Sequence, residues 1–233
     1  DPTSHLADSD RDRISDRYET EVAQTNILRP DSDGDGLNDL TELLVLPGFP
    51  QTNPNDADTD DDGLLDGYEP GNGLSVHFPD TDGDGIQDAV ELGFSEPQLS
   101  IYEDHHQDTA LSVYRVDADG GEKTTDPLLA DSDGDGIDDG DEDANHNGRW
   151  DEQLGETDAA SADTDGDGIS DGAEVRSAQQ VGCDQPPLNA LTPEDAQADP
   201  DGDGLSNSQE ANCTCAGQPT PTGMCVVDTD GDG

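Results

Sequence analysis

The chain is predicted to be a mostly irregular tandem repeat array, with a short helix after each repeated loop, a small β insertion and no large hydrophobic core. Three observations predict this class: an acidic frame that recurs along the chain, a formal net charge of −51, and only 38 Leu, Ile, Val and Phe among 233 residues. Burial of so few apolar residues cannot offset about 1–2 kcal/mol of chain entropy per residue. The fold therefore needs another source of stability.

The charge also excludes several classes of function. A polyanion repels nucleic acid and anionic membrane surfaces, so we expect neither as a partner. The longest strictly apolar run, residues 43–46, is too short to cross a bilayer. No nucleophile motif or phosphate-binding loop occurs, and we expect no enzyme activity.

The repeated frame is D-x-D-x-D-G-[LI]-x-[DN]-x-x-E. Full copies begin at residues 31, 58, 80, 131, 163 and 199, a degenerate copy begins at residue 8, and a last copy begins at residue 228 and stops within the frame. Below, each loop is named by the number of its first residue, and positions 1 to 12 are counted from that residue. Successive loops start 22 to 51 residues apart, which predicts an irregular array.

This spacing is typical of a calcium loop. Positions 1, 3 and 5 supply carboxylates, position 7 a backbone carbonyl, position 9 a further oxygen, and Glu at position 12 closes the shell. Gly at position 6 permits a sharp turn that a Cβ would strain by about 1–2 kcal/mol. Six or seven hard oxygens suit Ca²⁺, whereas Mg²⁺ needs a tight octahedron and zinc prefers His or Cys.

About eight calcium sites are therefore predicted. Because the empty carboxylate clusters repel one another, we expect calcium to nucleate the fold. The predicted ligands are Asp8, Asp10, Asp12, Asp16, Glu19, Asp31, Asp33, Asp35, Leu37, Asp39, Glu42, Asp58, Asp60, Asp62, Leu64, Asp66, Glu69, Asp80, Asp82, Asp84, Ile86, Asp88, Glu91, Asp131, Asp133, Asp135, Ile137, Asp139, Glu142, Asp143, Asn145, Asn147, Arg149, Asp151, Asp163, Asp165, Asp167, Ile169, Asp171, Glu174, Asp199, Asp201, Asp203, Leu205, Asn207, Glu210, Asp228, Asp230 and Asp232.

Three of these loops leave alternatives open. Loop 8 keeps all five acids but has arginine at positions 4 and 6, so it is either a weak calcium site or a relic neutralised by its arginines. An additional loop, 143–154, has Leu154 at position 12 and needs Glu152 or Glu156 for closure. Loop 228 is completed either by a continuing chain or by a neighbouring subunit.

The flanking sequence predicts short helices after the loops, at residues 15–24, 38–46, 87–92 and 170–180. No comparable helix precedes a loop, which argues against paired EF-hands. A Thr-Asx pair lies before several loops (Thr25-Asn26, Thr52-Asn53, Thr125-Asp126 and Thr157-Asp158). The pair is interpreted as a turn, or alternatively as an extra oxygen donor to a neighbouring ion.

The predicted domain organisation is repeats over 1–92, an insertion over 93–125, repeats over 126–182 and a cysteine-containing segment over 183–233. In the insertion, residues 99–102 and 111–116 have strand-like composition and predict a hairpin. Two disulfides are expected, in which Cys183 pairs with Cys213 or Cys215, and Cys225 pairs with the other.

On these motifs the chain resembles the cysteine-poor bacterial form of thrombospondin type 3 repeats over nearly its whole length, except about residues 93–125. The resemblance implies an irregular chain wrapped around a line of calcium ions, and an extracellular or cell-surface location. The function expected is a calcium-ordered stalk, matrix component or filament subunit that self-associates. The alternatives are a calcium-dependent adhesion module and a linker within a larger secreted protein.

Overall fold

The structure, a computed structural model, describes residues 7–44, 51–102, 109–178, 188–199, 204 and 206–211. The chain divides into two compact units, one formed by Asp1–Ala130 with His146–Arg149 and the other by Asp131–Asn145 with Trp150–Gly233. Both units contain acidic loops joined by irregular linkers. The finer predicted division into four segments stays a prediction.

Short helices follow the loops, as the sequence predicts. A π-helical turn, Glu19–Ala23, extends the first helix, and 3₁₀ turns lie at Glu152–Leu154 and Asp195–Gln197. The α-helices of the described residues are α1 (Asp16–Tyr18), α2 (Asp39–Leu43), α3 (Glu69–Asn72), α4 (Asp88–Glu91), α5 (Asp139–Glu142), α6 (Asp171–Ala178) and α7 (Asn207–Ala211).

Most of these helices begin at loop position 9, and in loops 8 and 31 the side chain at position 8 caps the helix. The cap residue Asn38 has extended backbone, and its side-chain oxygen accepts a hydrogen bond from Thr41 N at 3.0 Å. The acid at position 9 then lies in the first turn, where the helix dipole favours negative charge. In the described residues no α-helix leads directly into a full loop, which agrees with the argument against paired EF-hands, although α5 ends at Glu142, immediately before the additional loop 143–154.

A backbone hydrogen bond from the N–H of position 9 closes six of the loops. Asp39 N donates to Pro30 O, and Asp66 N donates to Ala57 O, both at 3.0 Å. Loops 8, 80, 163 and 199 carry the same bond between position 9 and the residue before position 1. The bond brings the carboxylates of positions 1 to 9 into one compact turn.

The hydrophobic core is small and lies in the first unit. Leu64, Leu74, Ala89 and Tyr114 form a buried cluster, and Tyr68, Leu92 and Phe94 pack against it. Among the described residues, the buried side chains are more often Asp or Glu than hydrophobic. The expectation of no large hydrophobic core is therefore confirmed for the part of the chain that the structure describes.

The predicted hairpin is wrong for the described part of the insertion. Residues 99–102 and 111–116 contain no strand, and the turn between them, 103–108, lies outside the described residues. Gln98 N donates to Gly63 O at 2.8 Å, Ile101 N donates to Gly34 O at 3.1 Å, and Ala110 N donates to Asp61 Oδ1 at 2.6 Å. Loops 31 and 58 thus bind the backbone of the insertion at Gln98, Ile101 and Ala110, and an isolated hairpin is only marginally stable.

Candidate metal centres

The acid at position 1 holds the turn of each loop. In loop 80 the two oxygens of Asp80 accept hydrogen bonds from Gly83 N at 2.6 Å and from Gly85 N at 2.9 Å. The same pair of bonds forms at Asp31 and Asp131. Glycine at position 6 has φ between +96° and +111° in every full loop, which confirms the predicted role of this residue.

Positions 3 and 5 each bind one backbone N–H and leave one oxygen for another partner. Asp35 Oδ1 accepts from Leu37 N at 2.6 Å, and Asp62 Oδ1 accepts from Leu64 N at 2.7 Å. In loops 8, 31 and 58, carboxylate oxygens from positions 1, 3 and 5 all lie within 4.8 Å of one another. The geometry gathers three anionic oxygens around one point.

Many of the remaining carboxylate oxygens are buried and have no hydrogen-bond donor. Burial of a polar atom without a hydrogen-bond partner costs about 1–3 kcal/mol, and burial of a charged atom without one costs more. A divalent cation in each loop would satisfy the oxygens of that loop together, and the donor set is the hard oxygen set that Ca²⁺ prefers. These oxygens are Asp10 Oδ2, Asp12 Oδ2, Glu19 Oε2, Asp35 Oδ2, Glu42 Oε2, Asp58 Oδ1, Asp60 Oδ2, Asp62 Oδ2, both of Glu69, Glu91 Oε2, Asp167 Oδ2 and both of Glu174.

The closing glutamates are deeply buried acids. Glu19, Glu42, Glu69 and Glu174 have no exposed surface. Burial, together with the charges of Asp60 and Asp62, raises the pKa of Glu69 to about 10. Burial likewise raises the pKa of Glu42 to about 9. Without a cation these groups hold a proton at neutral pH, so the arrangement is built for a positively charged partner.

The acid at position 9 has a different environment from the one the sequence suggests. Both oxygens of Asp39 are bound within its own loop by Ser32, whose N–H and Oγ donate at 2.7 and 2.8 Å. Thr59 holds Asp66 in the same way at 2.8 and 2.6 Å. Loops 8, 80 and 163 repeat this brace between positions 2 and 9. That position 9 binds the ion of its own loop stays a prediction.

The structure brings position 9 next to the preceding loop. Asp39 forms a potential metal group with Asp12 and Glu19 of loop 8. Asp66 likewise forms a group with Asp35 and Glu42 of loop 31. Sequence reasoning missed this contact because the spacing between loops is irregular, so no periodicity connects the two positions.

The Thr-Asx pairs connect neighbouring loops through the closing glutamates, because the threonine before one loop contacts the glutamate at position 12 of the preceding loop. Thr52 Oγ1 donates to Glu42 Oε1, and Thr125 Oγ1 donates to Glu91 Oε1, both at 3.0 Å. Asn53 Oδ1 accepts from Asn55 N at 3.3 Å, and the other Asx residues make the same turn. The turn interpretation is confirmed, and the hydroxyl contact to the preceding glutamate is a role that the sequence did not reveal.

The degenerate loop 8 adopts the geometry of the full loops. Arg11 and Arg13 have φ of 71° and 82°, the left-handed conformation that glycine has elsewhere. Their N–H groups donate to Asp8 at 2.6 and 3.2 Å, as in the full loops. Its backbone is therefore preserved despite the two arginines.

The predicted loop 143–154 is divided between the two units. In the second unit Glu156 is buried and accepts from Asn145 Nδ2 at 2.7 Å and from Asp151 N at 3.0 Å, whereas Glu152 is exposed. The contacts favour Glu156 as the closing residue, but calcium binding by this loop stays a prediction.

Several predicted ligands are not tested. The carbonyl role of position 7 stays a prediction, although Leu64, Ile86 and Ile169 have buried side chains. In loop 199, Gly204 N donates to Asp199 Oδ2 at 3.1 Å. The described residues do not include the four cysteines or the side chain of Glu210. They also do not include Asp201, Asp203, Leu205, Asp228, Asp230 and Asp232.

Repeated loops whose buried oxygens fit a divalent cation define the chain as a calcium-binding repeat protein. Residues 80–92, 163–177 and 199–213 match the model of the bacterial TSP3 repeat family, so the chain carries repeats of this family. No curated protein and no solved structure matches the chain. None of the helices in the described part of the chain is long and apolar enough to span a membrane.

Proposed function

We propose that the chain is an extracellular structural protein whose calcium-bound repeats form a rigid spacer, as a stalk, a matrix component or a filament subunit. The observation that carries the proposal is the recurrence of buried, donor-free carboxylate oxygens in loop after loop. A protein that places charge where others place apolar side chains depends on cations for its order. Extracellular calcium modules typically have Kd of about 10⁻⁴–10⁻³ M.

Contacts between successive loops support a spacer that calcium stiffens. The metal-facing acids of one loop are also the acceptors for the next linker: Glu42 accepts from Thr52, and Asp33 Oδ2 accepts from Asp56 N at 2.9 Å. When a cation fixes these carboxylates, it also fixes the linker that binds them. Binding in one loop therefore restrains the following repeat.

Electron microscopy of the full chain tests the structural role. We expect particles of uniform length, or ordered polymers, in millimolar Ca²⁺, and their loss after chelation or in Mg²⁺ alone. Ordered polymers indicate a filament subunit, and uniform single particles indicate a stalk. Identical particles with and without Ca²⁺ contradict the proposal.

A matched pair of variants separates ligand loss from charge loss. Glu42→Gln, Glu69→Gln and Glu91→Gln together remove three buried closing carboxylates. Glu96→Gln, Glu122→Gln and Glu152→Gln together remove the same charge from exposed positions. Only the first set is expected to abolish uniform particles, and equal behaviour of the two sets contradicts the role of the closing acids.

A calcium-dependent adhesion module is a second candidate, because the insertion exposes aliphatic side chains. Ile101 is 71% exposed and Leu111 is 61% exposed, and Leu99, Val113 and Val116 are also exposed. Sedimentation in Ca²⁺ tests self-adhesion through these residues. Association that is lost in Ile101→Ser/Leu111→Ser favours this candidate, whereas monomeric behaviour of both proteins removes its support.

A further inference from the structure

Loop 163 lacks the neighbouring acid that other loops receive from the repeat that follows. Asp39 and Asp66, both at position 9, lie beside the acids of the preceding loop. In the second unit Asp171 likewise lies near Asp135 and Glu142 of loop 131. The loop that follows loop 163 has Asn207 at position 9, which carries no charge.

Asp195 lies where that acid is missing. It begins the 3₁₀ turn Asp195–Gln197, between α6 and loop 199. Its carboxylate lies within hydrogen-bonding reach of the carboxylate of Asp167, and its charge acts on Glu174. Asp167 and Glu174 are positions 5 and 12 of loop 163, the two positions that Asp39 and Asp66 approach in loops 8 and 31.

The site around Asp195 contains buried oxygens without donors. Glu174 is fully buried, and neither of its carboxylate oxygens has a hydrogen-bond donor. Asp195 Oδ1 and Asp167 Oδ2 are buried atoms that also have no donor. Two carboxylates within hydrogen-bonding reach repel each other unless a cation or a proton lies between them.

The local contacts orient Asp195 toward this site. Asn189 N donates to Asp195 Oδ2 at 2.9 Å, which leaves Oδ1 for another partner. Asn207 Nδ2 donates to the backbone oxygen of Asp195 at 2.8 Å. The side chain of Asn207, at position 9 of loop 199, thus holds the 3₁₀ turn that carries Asp195.

We propose that Asp195 is a calcium ligand of loop 163, and that Asn207 is a positioning residue that holds it there. Asp195 lies outside the repeated frame, and it supplies the carboxylate that position 9 of loop 199 lacks. The inference rests on the proposed calcium-binding function. It assigns loop 163 a ligand that the frame does not contain.

A calcium titration of the isotope-labelled full chain, followed by NMR at individual amides, tests the assignment. Gly168 N donates to Asp163 Oδ2 at 2.9 Å and reports on loop 163, while Gly136 N reports on loop 131 in the same sample. In Asp195→Asn the calcium midpoint at Gly168 is expected to rise about tenfold, because affinity follows the number of charged ligands. The midpoint at Gly136 is expected to stay unchanged.

Two further variants make the test specific. Glu194→Gln removes the adjacent exposed charge and is expected to shift the Gly168 midpoint less than twofold if Asp195 acts as a ligand. Asn207→Asp, added to Asp195→Asn, is expected to restore part of the affinity by returning an acid to position 9. Equal midpoints in Asp195→Asn and Glu194→Gln overturn the assignment. If Gly168 does not respond to calcium in the unmodified chain, the proposed function itself fails.

Discussion

At the scale of single residues, the two oxygens of one carboxylate have different roles in the loop. One oxygen of an acid at position 3 or 5 holds the backbone, and the other oxygen faces the metal point. In loop 31, Asp35 Oδ1 binds Leu37 N while Asp35 Oδ2 has no donor. In the folded loop these backbone bonds orient each carboxylate, so that its other oxygen can bind a cation.

Loop 8 is expected to bind calcium more tightly when Arg13 is replaced by glycine. Arg13 has φ of 82°, a conformation that costs a residue with a Cβ about 1–2 kcal/mol. Arg13→Gly removes this strain, partly offset by the greater freedom of glycine in the expanded chain, and we expect binding about threefold to tenfold tighter. The midpoint of the calcium-dependent shift at the residue 13 amide measures the effect.

Arg13→Gln is the matched control, because it removes the charge and keeps the Cβ. It is expected to give a smaller gain than Arg13→Gly. If both variants gain equally, charge rather than backbone strain limits loop 8.

The hydroxyl of Thr52 is expected to stabilise calcium binding by loop 31. Its hydrogen bond to Glu42 Oε1 at 3.0 Å orients the closing carboxylate. Thr52→Val keeps the shape and removes a bond of about 1 kcal/mol, which corresponds to about fivefold weaker binding. The amide of Gly36 reports the midpoint, and Thr41→Val, which removes only a bond to Asn38, is the control. A change in both variants, or in neither, contradicts this role.

At the scale of elements, the insertion is attached to the loops rather than folded on itself. The hydroxyl of Thr109 donates to Asp58 Oδ2, and the hydroxyl of Ser100 donates to Asp33 O. Tyr114 packs in the small core, and its hydroxyl donates to Phe94 O at 2.9 Å. The order of the insertion therefore depends on the order of loops 31 and 58.

Substitution of Gly63 is expected to be more damaging than substitution of Gly36. Both glycines occupy position 6, with φ of +99° and +103°. A Cβ on Gly63 would collide with the Tyr114 ring, whereas a Cβ on Gly36 would meet nothing within 4 Å. Gly36→Ala carries backbone strain of about 1–2 kcal/mol. Gly63→Ala adds overpacking of about 1–3 kcal/mol.

The calcium midpoint of the loop that carries each substitution measures this difference. Gly63→Ala is expected to raise its midpoint more than Gly36→Ala does, and Tyr114→Ala is expected to relieve part of the excess. Equal shifts of the calcium midpoint for the two glycine variants would show that the Tyr114 ring does not pack against Gly63 of loop 58.

The elements differ in how far the sequence predicts them. The loops and their exiting helices follow from local rules, because Gly63 permits the turn and Asn38 caps α2. The neighbour contacts, such as Asp66 beside Glu42, join residues whose separation varies from repeat to repeat. The hairpin prediction failed because strand-like composition does not reveal that loops 31 and 58 bind the backbone of the insertion.

At the scale of the whole molecule, the acids that the folded chain buries make its stability depend on pH. Burial raises the pKa of Glu69 to about 10, of Glu91 to about 9 and of Glu142 to about 8, above the usual value near 4.5. The compact calcium-free chain thus holds more protons than the expanded chain between about pH 4.5 and 10. The stability that these protonated acids contribute is present at the acidic end of this pH window, and it is lost as the pH rises through the window.

Calcium binding is therefore expected to release protons and to strengthen as the pH rises from 6 to 9. Calorimetry at pH 6 in two buffers of different ionisation enthalpy measures the release. Glu69→Gln is expected to lower it by up to about one proton per chain, whereas Glu96→Gln, at an exposed position, leaves it unchanged. Zero release at pH 6 in the unmodified chain contradicts the burial of these acids.

The central claim is that calcium ions stabilise this molecule in place of apolar packing. The chain has one small hydrophobic cluster among its described residues and a net charge of −51, so repulsion is expected to expand it when the cations are removed. Small-angle X-ray scattering of the full chain, first in millimolar Ca²⁺ and then in excess chelator at pH 7.5, tests the claim most directly. We predict a large increase in the radius of gyration that added Ca²⁺ reverses and an equal concentration of Mg²⁺ does not. A scattering profile that is unchanged by chelation would contradict the account.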